Sequence, residues 1–260
     1  MKKMKRKEHF RVYTYATWGT IFLVWFLVTE FGLVSSRLIP SPEQVIYSFI
    51  EIMQNGYNGI PLWSHVGISL YRLFIASSLA FITAVPLGLM SGYFKRFRAV
   101  IDSVVQFYRP LPPLAYYTFL ILWLGIDESS KITLLYLAAF APIYLACVSA
   151  VSTIDENYLL SAESLGASKK DIFFTVVLPA SMPEVFTGLR TAIGIAYTTL
   201  VSAEMVAATS GVGWMVIDAS RYLKSDIMFI GIIIMGITGV LLDWGLRKLE
   251  TKLVFWKGKQ

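Results

Sequence analysis

Residues 66–94, VGISLYRLFIASSLAFITAVPLGLMSGYF, form a mostly apolar run of 29 residues. A helix rises about 1.5 Å per residue, so about 20 apolar residues are enough to cross about 30 Å of hydrocarbon. The run is therefore long enough to cross a bilayer as a single helix. This stretch indicates an integral membrane protein.

Five further apolar runs of similar length support that interpretation, at 12–33, 99–124, 132–151, 185–209 and 227–246. Of the 260 residues, 56% are hydrophobic and only 15% are charged, whereas a soluble domain has roughly 25% charged residues. The sequence predicts an all-α integral membrane protein with about six transmembrane helices. Because the run from 12 to about 34 exceeds the roughly 7–15 apolar residues of a secretory signal, we expect it to be a retained first helix.

The distribution of Lys and Arg predicts the orientation of the chain. With the N-terminus inside, sixteen of these residues fall on inner segments and only four on outer segments. Cytoplasmic loops carry an excess of Lys and Arg, so both termini are predicted to be cytoplasmic. The net charge of +6 therefore does not indicate nucleic-acid binding, because the basic residues gather at the ends of apolar runs.

The outer segment 35–65 is too long to be a simple turn. Its apolar residues have helical spacing after Pro42, which predicts an amphipathic helix lying at the membrane surface. The predicted apolar face contains Val45, Ile46, Phe49, Ile50 and Met53.

The inner segment 152–183 carries the signals of two short helices separated by a glycine. Asp155 is a candidate N-cap for the first helix, and Gly166 supplies the left-handed conformation that ends it. Ser168 with Asp171 three residues later is a capping-box pattern that starts the second helix. Pro179 is predicted to end that helix. On these residues alone, the elbow is either a membrane-surface connector or a docking element for a soluble partner.

The elbow resembles the EAA loop found in permease subunits of type I ABC importers. The matching residues are 162–168, AESLGAS, and 176–179, VVLP, which fall where the motif's glycine and terminal I-x-L-P are expected. The glutamate that opens the motif would align with Leu160, so its salt bridge cannot be assumed, although Glu163 is near enough to compensate.

Other stretches narrow the resemblance to the nitrate, sulfonate and taurine branch of these importers. They are 39–45 (IPSPEQV), 108–116 (YRPLPPLAY), 122–126 (LWLGI), 200–205 (LVSAEM) and 211–213 (GVG). Within the branch, the string at 108–116 is most similar to taurine permeases.

The resemblance implies one transmembrane domain over 1–260, with a core at 60–250, an N-terminal helix at 12–33 and a coupling loop at 152–183. It implies a homodimer in the bacterial inner membrane, two ATP-binding subunits and an extracytoplasmic substrate-binding protein. ATP and Mg²⁺ would be held by the partner subunits, and no cofactor by this chain. The residues implied to couple to the ATPase subunits are Ala162, Glu163, Ser164, Leu165, Gly166, Ala167 and Ser168.

Arg109 is a candidate pathway residue, because it lies inside the third run beside Pro110, Pro112 and Pro113. Prolines interrupt a helix, and a broken backbone at membrane depth survives only where protein or a water-filled cavity satisfies it. Arg109 either donates two hydrogen bonds to a passing sulfonate or lies near the interface, snorkelling or pairing with Asp102. Tyr108 and Pro112 belong to the same candidate pathway or gate.

Two further ionisable residues lie within the fifth run, where an unpaired charge is costly. Glu204 either attracts the ammonium of a zwitterion such as taurine or has a structural or gating role, and we favour the second. Arg190 is expected to snorkel or to contact the elbow.

The fifth run also carries small residues at four-residue spacing, Gly188, Ala192 and Ala196, which predict close packing against another helix or a second subunit. The hydroxyls of Thr198, Thr199 and Ser202 continue the run and either line a polar route or belong to that packing. Thr198 and Ser202 join the candidate pathway.

The alternatives differ in cargo or in class. The cargo is taurine first, with nitrate, bicarbonate, other alkanesulfonates or aromatic acids as alternatives, and a non-transporting membrane enzyme or scaffold is the rival class. We expect no enzyme activity in this chain, because it contains no G-x-x-x-x-G-K-[ST] phosphate cradle. His9 and His65 are too isolated to predict a metal site.

Overall fold

A computed structural model describes the backbone of residues 2–256 and the side chains of residues 12–256. The basic side chains before residue 12, and Lys257 and Lys259, on which the predicted orientation partly depends, lie outside the described residues. The regular elements of the described chain are all helical. They are α1 (Lys2–Glu30), α2 (Pro42–Asn55), α3 (Leu62–Tyr93), α4 (Lys95–Tyr108), α5 (Pro113–Leu124), α6 (Glu128–Ser152), α7 (Glu156–Ser164), α8 (Lys169–Ile172), a π-helical turn (Phe173–Val177), α9 (Leu178–Ala207), α10 (Val212–Arg221) and α11 (Ser225–Leu253).

Five helical stretches are long and apolar enough to cross a membrane, and they coincide with five of the six predicted spans. They are Val12–Glu30, Leu62–Tyr93, Glu128–Ser152, Lys169–Ala207 and Ser225–Leu253. The third predicted span, 99–124, is not one helix. It is divided into α4, which ends at Tyr108, and α5, which starts at Pro113 and has 12 residues. Six continuous spans are therefore not confirmed, and the prolines between 110 and 113 account for the break.

The chain forms two compact units, Met1–His65 with Met215–Ile234, and Val66–Trp214 with Met235–Gln260. In the first unit, α2 begins as predicted, with Ser41 as its N-cap. Its buried residues, however, are Pro42, Val45, Ser48 and Ile52, whereas Ile46 and Ile50 are exposed. The predicted apolar face was wrong in this respect, because the Ser48 hydroxyl faces inward to donate a hydrogen bond to Asp226.

The second unit is built around the packing of α6 against α9. Gly188 of α9 lies so close to Ala146 of α6 that an added Cβ would collide with the Ala146 side chain. Ala192 and Ala196, which continue this face of α9, are fully buried. The predicted close packing of the small residues is confirmed, and its partner among the described residues is α6.

Candidate functional site

The predicted helix–glycine–helix elbow is confirmed. The Asp155 carboxylate caps α7 by accepting a 2.9 Å hydrogen bond from the backbone N–H of Asn157. Gly166 has φ +85°, a left-handed conformation that side-chain-bearing residues rarely adopt. Ser168 and Asp171 then form the reciprocal capping box that starts α8.

The prediction that Pro179 ends the second helix was wrong. The chain continues from α8 through the π turn into α9, so that Lys169–Ala207 is one uninterrupted helical stretch. In the π turn the N–H of Leu178 reaches the carbonyl of Phe173 five residues back. Pro179 lies two residues after the π turn, and a local π adjustment of this kind accommodates the N–H that proline lacks.

The elbow presents an apolar side chain at its tip. Leu165 is 88% exposed, and Leu160 is also exposed. Leu159, Ala162 and Ala167 are half-buried and pack against the core of the second unit. Glu163 is exposed and forms no ion pair with any residue that the structure describes. Within the part of the chain that the structure describes, Glu163 therefore has no salt bridge to replace that of the motif's opening glutamate.

Glu204 is sequestered in a buried polar cluster of the second unit and is only 1% exposed. Its Oε1 accepts hydrogen bonds of 2.7 Å from Ser69 Oγ and 2.7 Å from Arg72 Nη1. Its Oε2 accepts a 2.9 Å hydrogen bond from the backbone N–H of Gly213. An added Cβ on Gly211 would collide with the Glu204 carboxylate, so the backbone closes over this side chain. This geometry supports the structural or gating interpretation over ammonium binding.

Arg72 is the functional candidate that the sequence reasoning missed. It is 1% exposed, donates from Nε and Nη2 to the two carboxylate oxygens of Glu128 at 2.6 and 2.7 Å, and also donates to the Ser210 carbonyl at 2.8 Å. A single arginine inside the apolar run 66–94 was the available signal, and it is the same signal that drew attention to Arg109. The cluster joins α3, α6 and α9 to the turn before α10.

Arg109 follows α4 at the break between α4 and α5, where the sequence predicted an irregular backbone. It lines an open cavity of about 360 Å³ together with Tyr108, Pro110, Leu111, Pro113, Tyr116, Leu137, Ala138, Ala141, Pro142, Leu145 and Ile195. The suggested pair with Asp102 is contradicted. Asp102 instead accepts from Arg98 at 3.0 Å and from the Tyr144 hydroxyl at 2.6 Å.

The cavity brings together only part of the predicted pathway set. Tyr108 and Arg109 line it, whereas Pro112, Thr198, Ser202 and Glu204 do not. The Thr198 hydroxyl donates to the Ile195 carbonyl at 2.8 Å, and the Ser202 hydroxyl donates to the Thr198 carbonyl at 3.1 Å. Both hydroxyls are therefore satisfied by their own helix.

Among the described residues, Arg190 pairs with the C-terminal helix and not with the elbow. Its guanidinium lies 3.2 Å from the Asp243 carboxylate and 3.4 Å from the Glu250 carboxylate, both on α11. The two acidic residues are seven positions apart on α11, or about two turns, so they lie on the same side of that helix. Arg190 therefore ties α9 to the C-terminal helix.

Residues 84–254 match the family of binding-protein-dependent transport system inner membrane components, and the chain belongs to this family. It is a permease subunit of an ABC importer, in the nitrate, sulfonate and taurine branch. The predicted family and all-helical fold class are thus confirmed.

Two relatives and one solved structure indicate what the chain is similar to. The taurine transport system permease protein TauC of Escherichia coli is 37% identical, over 94% of this chain and 89% of the relative. The putative aliphatic sulfonates transport permease protein SsuC of Bacillus subtilis is 34% identical, over 92% of this chain and 85% of the relative. A chain of the MetNI methionine ABC transporter, solved in inward facing conformations, has a similar fold at a TM-score of 0.59 and 18% identity, covering 72% of this chain and 91% of that chain.

Proposed function

We propose that this chain forms the membrane path by which a small organic sulfonate, taurine first, enters the cytoplasm through alternating access. One observation carries the sulfonate assignment: Arg109, at the break between α4 and α5, lines a cavity of about 360 Å³ without an ion pair from any described residue. A guanidinium can donate two parallel hydrogen bonds to a pair of anionic oxygens, which suits a sulfonate group. The 37% identity with TauC favours taurine.

Other aliphatic sulfonates are the second candidate cargo. The support is the 34% identity with SsuC over 92% of this chain, which is nearly the identity with TauC. The two candidates share the anionic group that Arg109 would bind and differ in the remainder of the molecule.

The chain acts as one transmembrane domain over 1–260, in a homodimer in the bacterial inner membrane with both termini cytoplasmic. It has no ATPase site of its own and receives cargo from an extracytoplasmic binding protein. Two partner subunits bind ATP and Mg²⁺. ATP binding closes them, the elbow carries that movement into α9, and the cavity opens to the outside. Hydrolysis then restores the inward-facing state.

The coupling residues of the elbow, 162–168, contact the ATPase subunit. The exposure of Leu165 supports this role, because an apolar side chain at a projecting tip suits insertion into a pocket of a partner. The uninterrupted helical stretch Lys169–Ala207 supports a mechanical link between the elbow and the membrane.

The pathway contains Tyr108, Arg109 and Pro112 at the break between α4 and α5. It also contains Thr198 and Ser202, which lie on α9. Glu204 acts as a gate residue by holding α9 to α3 rather than by touching cargo, which its burial and its three hydrogen bonds support.

Uptake of labelled taurine tests this function in cells that lack the gene but retain the ATPase and binding-protein genes. Restoring the wild-type chain should restore energy-dependent uptake, and Arg109→Gln should reduce it by about tenfold or more. Arg96→Gln is the matched control, because it removes the same charge from an exposed position of α4 outside the cavity. If the wild-type chain restores uptake of neither taurine nor other sulfonates, the proposed function is wrong.

Replacement of Gly166 by valine tests the elbow in the same cells. A valine there is strained by the left-handed backbone, and we expect uptake to fall although the protein reaches the membrane. Gly59→Val is the matched control, since Gly59 also has a left-handed backbone, φ +76°, and also faces open space. Equal loss in the two variants would contradict a coupling role for the elbow.

A further inference from the structure

The cavity beside the break between α4 and α5 is lined, within the described part of the chain, by one positively charged residue and otherwise by uncharged residues. Arg109 is the one charged residue among the described residues that line it, and the others are tyrosines, prolines and aliphatic side chains. Arg109 is exposed; its backbone N–H donates to the Val105 carbonyl, and its guanidinium donates no hydrogen bond to a described residue. Among the described residues, the cavity lining therefore offers one cation and no carboxylate.

Two carboxylates named in the sequence analysis, Glu204 as a candidate for ammonium binding and Asp102 as a possible partner of Arg109, both accept hydrogen bonds from other described residues. Asp102 accepts hydrogen bonds from Arg98 and Tyr144. Glu204 is 1% exposed, and both of its oxygens accept hydrogen bonds from within the second unit.

We infer that the permease recognises the anionic head of its cargo and does not recognise an ammonium group. This inference rests on the proposed function, since it concerns the cavity through which the sulfonate would pass. Taurine and ethanesulfonate, which differ by the amino group, bind the cavity with similar affinity. Discrimination in favour of the amino group is then made outside this chain.

The residues that line the cavity set the expected difference in affinity between taurine and ethanesulfonate. A carboxylate that paired with the ammonium would make taurine bind about tenfold or more tightly than ethanesulfonate. The rings of Tyr108 and Tyr116 are the available alternative, and a cation over an exposed aromatic ring changes affinity by about two- to fivefold. If the affinities for taurine and ethanesulfonate differ by less than about fivefold, no carboxylate pairs with the ammonium group.

The experiment is equilibrium binding of labelled taurine to the assembled importer in nanodiscs without the binding protein. Unlabelled taurine, ethanesulfonate and ethylammonium serve as competitors. Taurine and ethanesulfonate should displace the label within about fivefold of each other, and ethylammonium should not displace it. Arg109→Gln should weaken both sulfonates by a similar factor of about tenfold or more, and Arg96→Gln should leave both unchanged.

Three outcomes would overturn the inference. They are a preference for taurine of tenfold or more, displacement by ethylammonium, and an absence of taurine binding in the wild-type complex. Uptake in cells is measured separately, so intact taurine uptake with any of these outcomes would leave the proposed function standing and remove only the inference about recognition.

Discussion

Arg72 on α3 donates a 2.7 Å hydrogen bond from Nη1 to Oε1 of Glu204 on α9, and both side chains are 1% exposed. The two residues are 132 positions apart in the chain. Arg72 also holds the half-exposed Glu128 at the start of α6, so one guanidinium joins three helices. A buried charge is tolerated only when it is paired and hydrogen-bonded. The burial of Arg72 therefore depends on Glu204, and the burial of Glu204 depends on Arg72.

Removing Arg72 should strongly destabilise the chain. Arg72→Gln leaves Glu204 buried without its charged partner, and loss of one member of a buried pair costs about 3–5 kcal/mol. Thermal unfolding in detergent should show a large fall in the midpoint temperature. Arg98→Gln is the control, because its pair with Asp102 is largely exposed on the arginine side and should contribute less than about 1 kcal/mol. Similar midpoints for the two variants would contradict the importance of the cluster.

Alanine substitutions at two glycines of α9 should have different effects on stability, because only one of the two glycines lies at the α6–α9 interface. Gly188→Ala places a methyl group against Ala146, and overpacking of this kind costs about 1–3 kcal/mol. Gly194→Ala meets no atom within 4 Å, so alanine's higher helix propensity should leave stability unchanged or raise it by up to about 1 kcal/mol. Thermal unfolding of both variants measures the contrast. If adding Ala146→Gly restores the stability of the Gly188→Ala variant, the collision between the two side chains is the cause of the destabilisation.

The π turn should set the orientation of the elbow relative to α9. Deleting Phe174, an exposed residue of the turn, should restore a regular helix and rotate everything before it by about 100°. We expect uptake to be lost while the protein remains in the membrane. Phe174→Ala keeps the chain length and should retain most uptake. If the deletion variant transports normally, the register of the elbow does not matter for coupling.

Tyr57, in the segment between α2 and α3, should make stability depend on alkaline pH. Burial first, and then the hydrogen bond of 2.8 Å to Asp218, raise the pKa of the Tyr57 hydroxyl above its usual 10.0. The folded state therefore keeps this proton where the unfolded state loses it. The stabilisation is complete below pH 10 and is lost as the pH rises above it, by at most about 1.4 kcal/mol per pH unit.

Tyr57→Phe provides the control for that dependence, since phenylalanine keeps the ring and cannot ionise. The variant should have a flatter stability profile than the wild type above pH 10, measured by thermal unfolding at a series of pH values. Parallel profiles for the two proteins would show that Tyr57 does not contribute.

Local features of the fold were predictable because they depend on neighbouring residues. The caps at Asp155 and Ser168 and the left-handed Gly166 are each decided within about four residues, and all three are confirmed. The break near Arg109 was predictable for the same reason, since proline removes a backbone donor wherever it occurs. Pro179 was misinterpreted, because the π turn just before it lets the helix continue past a residue that has no N–H.

The sequence by itself determined that this is a helical membrane protein with a helix–glycine–helix elbow, because the length of an apolar run and the identity of a cap are local properties. Only the tertiary structure decided which charges neutralise one another. Arg190 pairs with α11, Asp102 pairs with Arg98, and Glu204 pairs with Arg72, whereas Arg109 is left to face a cavity. The physical reason is that the energy of an ionic group inside a protein depends on distances of a few ångströms between helices, and those distances are set by packing across segments that lie far apart in the chain.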